Sequence, residues 1–139
     1  MLNRVELLHF PQLGDSRGHL VVIEGKKNIP FDIKRIFYIY GSKKGVVRGQ
    51  HANKKSSFVL INVSGSSKVK ITDGKNEKVF VLDKQHMGIY IPKMLWKDMY
   101  DFSKDSVLLV LSDEYYDGEE YIRNYDEYIE IINKYNKLK

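Results

Sequence analysis

The sequence predicts one all-β domain closed by a single C-terminal helix. Three observations predict it. Short runs rich in Val, Ile, Tyr and Phe recur between Leu20 and Ser112, turn-forming residues separate them, and after Asp113 the apolar period lengthens to three and four. At 139 residues the chain has room for one domain of ordinary size and no linker-like run divides it, so 1–139 is read as a single unit.

The predicted strands follow in order: Leu20 to Ile23, Ile33 to Tyr40, Phe58 to Val63, Lys68 to Thr72, Lys78 to Leu82, Gly88 to Ile91 and Val107 to Leu111. Between them lie Gly41-Ser42, Ser64-Gly65-Ser66, Asp73-Gly74 and Ser103-Lys104-Asp105, residues that favour turns. The clearest hairpin joins Lys68–Thr72 to Glu77–Leu82 through Asp73-Gly74-Lys75-Asn76, and alternation offers Val79 and Val81 as counterparts of Val69 and Ile71. Such spacing indicates a sandwich or barrel. Asp117-Gly118-Glu119-Glu120 has the form of a capping box, so a helix is expected over about 118–137. Its stripe would be Ile122, Tyr125, Ile129, Ile132 and Tyr135, covering the β unit or meeting a partner.

Lys and Arg number 23 against 18 Asp and Glu, a mildly basic balance that suits anions without selecting one. There are no cysteines, which excludes disulfides, cysteine zinc sites and a thiol nucleophile. No signal-peptide pattern and no apolar run long enough to span a membrane are present, so a cytoplasmic protein with no membrane partner is expected. Nothing resembles a nucleic-acid motif, and nucleic acid is not expected as a partner. Aromatic residues make up 12%, including ten tyrosines. Most of them serve strands first.

Gly45, His51, Asn53, Phe58 and Gly65 reproduce the spacing of the first cupin motif, G-x5-H-x-H-x3-4-E-x6-G. Pro92, Lys97 and Asp101 fall on the second. In metal-binding cupins four ligands converge inside the barrel; here those positions read His51, Asn53, Phe58 and Lys97. Only His51 is a good ligand, and an ammonium repels a cation, so the expected site is metal-free and needs no cofactor. What remains is a basic barrel mouth: Arg48 and His51 on one strand, His51 and Asn53 on one face, and Lys97 approaching from across the barrel. His51 could act as a general base or be a satisfied structural histidine. His9, His19 and His86 match no metal spacing.

With Asp15-Ser16-Arg17-Gly18, Asn28-Ile29-Pro30-Phe31, Ile33 to Ile39, Arg48-Gly49-Gln50-His51-Ala52, Leu95-Trp96, Met99 to Phe102 and Tyr115 to Tyr125 in this order, the chain resembles the sugar-nucleotide 3,4-ketoisomerases along nearly its whole length. The resemblance implies a cupin jelly roll, a homodimer with exchanged strands and a dTDP-linked 4-keto-6-deoxyhexose as substrate. The implied reaction is an isomerisation that moves the carbonyl from C4 to C3 through an enediolate, on the way to a 3-amino-3,6-dideoxy sugar of a polysaccharide. It implies His51, Asn53 and Lys97 as the catalytic positions. Arg17, Arg35, Tyr38, Arg48, Gln50 and Trp96 would contact the substrate, with Tyr38 and Trp96 the candidates for stacking on thymine.

The chain also departs from the family pattern. Members usually read R-G-x-H-A-H, whose second histidine is Asn53 here, and many read W-H-E-M where this chain has Trp96-Lys97-Asp98-Met99. Four readings follow: His51 as base with Asn53 orienting a hydroxyl or water, Lys97 exchanging the proton, a dTDP-sugar binder without turnover, or an epimerase on a similar substrate.

Overall fold

A computed structural model describes residues 1–138. Twelve strands alternate with short turns: β1 (Glu6–His9), β2 (Gln12–Asp15), β3 (Gly18–Val21), β4 (Arg35–Tyr40), β5 (Arg48–Asn53), β6 (Phe58–Ser64), β7 (Ser67–Thr72), β8 (Glu77–Leu82), β9 (Met87–Ile91), β10 (Trp96–Tyr100), β11 (Val107–Ser112) and β12 (Tyr121–Ile122). One helix, α1 (Tyr125–Lys137), follows them. Two five-stranded antiparallel sheets face each other, ordered β1-β9-β6-β11-β4 and β12-β5-β10-β7-β8, and β2 pairs with β3 as a separate hairpin. The all-β jelly roll with a C-terminal helix expected from the sequence is the fold.

The inner faces of the sheets meet over Phe58, Leu60, Ile71, Ile89, Ile91 and Leu108, all essentially inaccessible to solvent. Each contributes on the order of 1.5–3 kcal/mol by leaving water. β6 is buried on both faces, which is why its sequence is a continuous apolar run. Its outward Val59 and Ile61 lie under a second cluster with Phe10 from the β1–β2 connection and Ile29 and Phe31 from the β3–β4 connection. A third cluster, on the outer face of the second sheet, joins Ala52, Trp96 and Ile122 to Tyr128 and Ile132 of α1. The helix covers its own core.

Two expectations are corrected. The helix begins at Tyr125, with Asn124 as N-cap accepting from the Glu127 amide at 2.9 Å. Asp117 instead caps a three-residue 3-10 turn, Gly118–Glu120, and Ile122 lies in β12. Glu120 is drawn away from capping because its carboxylate accepts from the Lys55 and Ser56 amides and the Ser56 hydroxyl. In the β7–β8 hairpin the register is offset by one from the expected pairing. Phe80 lies opposite Val69 and Lys78 opposite Ile71, while Val79 and Val81 pair with Lys70 and Lys68 on the exposed face. The turn decides this, since Asp73 accepts from the Lys75 and Asn76 amides and so fixes a four-residue loop between Thr72 and Glu77.

Candidate active site

A cavity of about 170 Å³ opens between the sheets at one end of the roll. Its first wall is β5, β10 and β12 of one sheet; its second is the inner face of β4 and β6 in the other. On β5, His51 and Asn53 face inward while Ala52 between them faces the helix. Arg48 is three residues from His51 and on a regular strand would face the opposite side. The β5–β10 register shifts here, so that Lys97 pairs with His51 but Asp98 with Gly49, and this bulge turns Arg48 to the same cavity. Gly49 makes the bulge possible: its φ is +83°, and a Cβ would lie 2.9 Å from the Met99 methyl and 3.0 Å from the Lys97 carbonyl oxygen.

Lys97 does not approach across the barrel. It is the cross-strand neighbour of His51 in the same sheet, and its Nζ donates to Asn53 Oδ1 at 3.3 Å. The ammonium also lies 4.7 Å from the centre of the Phe58 ring, which occupies the place of the cupin carboxylate. Lys97 is fully enclosed, and burial pushes its pKa down to about 7, with the nearby Glu120 charge acting weakly in the opposite sense. The His51 ring is pushed down to about 3, first by burial and then by repulsion from Lys97 and Arg123. At neutral pH it is an uncharged base. Among the described residues no partner stands within full hydrogen-bond geometry of the buried His51 Nδ1, Asn53 Nδ2 and Arg35 Nε, although the Asn53 side chain beside His51 partly offsets the fall in the imidazole pKa. A folded chain rarely leaves such groups unsatisfied without reason.

Arg35 comes from β4 on the opposite sheet. Its Nη2 donates to the Tyr121 hydroxyl at 3.0 Å, bridging the mouth, and its guanidinium stacks 5.3 Å from Tyr116 and 4.9 Å from Phe37. Tyr121 sits edge-on to His51, with ring centroids 4.9 Å apart, and Arg123 lies 4.5 Å above the tyrosine ring. The sequence reading did not single out Tyr121, Tyr116 or Arg123 as site residues. The only signal was their place in the segment 115–125, because strand β12 is two residues long and shows no period.

Three expected contacts are not assembled at this cavity. Trp96 faces away from Lys97, as alternation requires, and packs against Tyr125 and Tyr128 beneath α1. Gln50, bulged outward, joins Trp96 in a groove on that outer face. Arg17 lies at the exposed β2–β3 turn, paired with Asp15 at 2.7 Å. Tyr38 borders the mouth, but its ring points to the outer face of β4 with Ile36 and Tyr40 and is 61% exposed. Among the described residues no three His, Cys, Asp or Glu converge as a metal-binding group. The donor set at the cupin ligand positions, one imidazole, an amide, a phenyl ring and an ammonium, is unsuited to a divalent ion.

What the roll presents at this end is a basic cavity walled by an uncharged histidine beside a buried lysine. The chain belongs to the FdtA family, WxcM-like, C-terminal, whose model matches residues 3–133. It is 44% identical over 134 residues, 96% of each chain, to a TDP-4-oxo-6-deoxy-alpha-D-glucose-3,4-oxoisomerase from Aneurinibacillus thermoaerophilus. It superposes with a TM-score of 0.93 and 46% identity on a histidine-to-asparagine variant of the 3,4-ketoisomerase QdtA from Thermoanaerobacterium thermosaccharolyticum in complex with TDP-4-keto-6-deoxyglucose. That match covers 96% of this chain and 97% of the other. WlaRA, a TDP-fucose-3,4-ketoisomerase from Campylobacter jejuni, matches at TM-score 0.88 and 43% identity over 94% and 97% of the two chains.

Proposed function

We infer that the protein is a 3,4-ketoisomerase acting on a dTDP-linked 4-keto-6-deoxyhexose. The observation that carries this reading is the wall on which neutral His51 and buried Lys97 stand side by side in register, facing a cavity lined by Arg48 and Tyr121, with Arg35 bonded to Tyr121 at its mouth. Relatives along the whole chain bear the isomerase name, and binding without turnover or epimerisation is not favoured.

His51 takes the C3 proton, leaving the electron pair to form an enediolate with the C4 carbonyl. The resulting imidazolium is strongly acidic in this setting and returns a proton at C4. Lys97, protonated below about pH 7, presents a cation to the enediolate from the same wall. An arriving diphosphate meets the arginines, which can grip it in pairs, and offsets part of the repulsion that depresses His51. Asn53 holds Lys97 rather than a proton. Acid–base transfer by these side chains needs no metal.

The β2–β3 hairpin leaves Leu13 and Leu20 exposed and joins neither sheet, and β4 exposes Ile36, Tyr38 and Tyr40. These apolar surfaces support a homodimer in which the hairpin crosses to a second copy and carries Arg17 toward the neighbouring cavity. A nucleotide-linked substrate accords with a cytoplasmic enzyme supplying a 3-aminotransferase.

The test is incubation with dTDP-4-keto-6-deoxyglucose in deuterium oxide. A 3-keto product with label at C4, or washed into C3, is expected. Binding of TDP without label in either position would overturn the isomerase reading.

A further inference from the structure

Isomerisation moves two protons, one between carbons and one between oxygens. Carbon C3 loses a proton and C4 gains one, while the C4 oxygen gains a proton and the C3 oxygen loses one. His51 accounts for the first pair. Asn53 cannot serve the second, because an amide has no useful acidity, and Lys97, beside Asn53 and the Phe58 ring, serves the enediolate as a charge.

Tyr121 is placed for it. β12 pairs with β5 so that Tyr121 lies directly opposite Asn53, and cross-strand partners share a face. The ring therefore lines the cavity, edge-on to His51. Arg35 Nη2 donates to the phenol oxygen, which orients the hydroxyl and leaves its hydrogen to be given elsewhere. Among the described residues no acceptor takes that hydrogen. The strand position is itself anchored, because the Glu120 carbonyl accepts from the Lys54 amide and the Glu120 carboxylate from the Lys55 and Ser56 amides.

We propose that Tyr121, held by Arg35, is a catalytic residue that relays the hydroxyl proton between the vicinal C4 and C3 oxygens. When His51 removes the C3 hydrogen, the C3–H electrons form the C3=C4 double bond and the carbonyl electrons move to the C4 oxygen, which takes the Tyr121 proton. The enediol then collapses: the C3 hydroxyl gives its proton to the tyrosinate, C3=O forms, and the double-bond electrons take the proton from His51 at C4. Tyrosine and histidine both end as they began, and no oxidant or co-reactant is needed. Arg35 is a positioning residue that stabilises the transient phenolate.

The proposal rests on the isomerase reading, so the wild-type protein must first turn over dTDP-4-keto-6-deoxyglucose; failure there overturns that reading and not this one alone. Given turnover, Tyr121→Phe keeps the ring against His51 and removes only the hydroxyl. Its kcat is expected to fall on the order of 100-fold, with TDP affinity by calorimetry within threefold of wild type and the melting transition retained. Tyr121→Gln, which restores a donor without a transferable proton, should lose turnover similarly and serves if the Phe variant does not fold. Turnover within threefold of wild type in either folded variant, or a loss explained by weaker TDP binding, overturns the proposal.

Discussion

Two buried polar clusters lie in the same roll and are treated oppositely by the fold. At the closed end, Asn62 donates to Ser106 Oγ at 2.8 Å and to the Ser64 carbonyl at 3.1 Å, and accepts from Ser67 Oγ. Its hydrogen-bonding capacity is used. At the mouth, His51 Nδ1, Asn53 Nδ2 and Arg35 Nε have no partner among the described residues, and the buried Lys97 Nζ makes one weak hydrogen bond. Leaving such groups unmatched costs stability, about 1–3 kcal/mol each. The satisfied cluster helps specify the fold, whereas the unmatched one opposes it where the cavity opens.

The contrast can be broken most sharply at Lys97. Lys97→Met should lower kcat on the order of 100-fold and yet raise stability at neutral pH, because a buried cation is replaced by an apolar chain of similar length. The pH dependence has a defined sign. The lysine pKa is about 7 folded and 10.5 in the free group, so between these values the unfolded chain binds more protons and wild-type stability rises with pH. The advantage of the Met variant should be greatest below pH 7 and shrink by on the order of 4 kcal/mol toward pH 10.5, measured by denaturant titration. An advantage independent of pH would show that Lys97 keeps its ordinary lysine pKa inside and stays charged there.

His51→Asn should remove the carbon proton carrier: kcat falls by on the order of 1000-fold, about 4 kcal/mol, and deuterium wash-in disappears, with TDP binding retained. In the wild type, the histidine also lowers stability as pH falls from 6.5 toward 3, since the unfolded imidazole takes a proton that the folded one refuses. That loss should be absent from the Asn variant.

The satisfied cluster should respond the other way. Asn62→Leu leaves two serine hydroxyls without their partner and should cost roughly 1–3 kcal/mol of stability with kcat unchanged. The smallest expected effect is at Tyr128, whose hydroxyl donates to the Met94 carbonyl at 2.8 Å beneath α1. Tyr128→Phe should lower the stability by about 1 kcal/mol and leave turnover as it was. Loss of activity in either variant at constant stability would erase the distinction between the two clusters.

Much of the site was legible where the chemistry is local. His51 and Asn53 share a face by strand alternation alone, and motif spacing brought in Lys97 although not its side of the barrel. Arg48 joined them only through the bulge at Gly49, and Tyr121 only because a two-residue strand, too short to show a period, pairs with β5. Trp96 packs outside the cavity for a related reason. Adjacent strand residues face opposite ways, so Lys97 in the cavity requires Trp96 outside it, under a helix whose stripe periodicity names without saying which sheet face it covers.

By itself the sequence determined the strand-rich roll, the terminal amphipathic helix and the shared face of His51 and Asn53, since these follow from alternation, turn chemistry and residue type. Tertiary structure decided which strands neighbour one another, where the ladder slips by a residue, and which buried groups are left without partners. These are non-local outcomes. They depend on pairings between residues as far apart as Arg35 and Tyr121, and no window of the chain contains both.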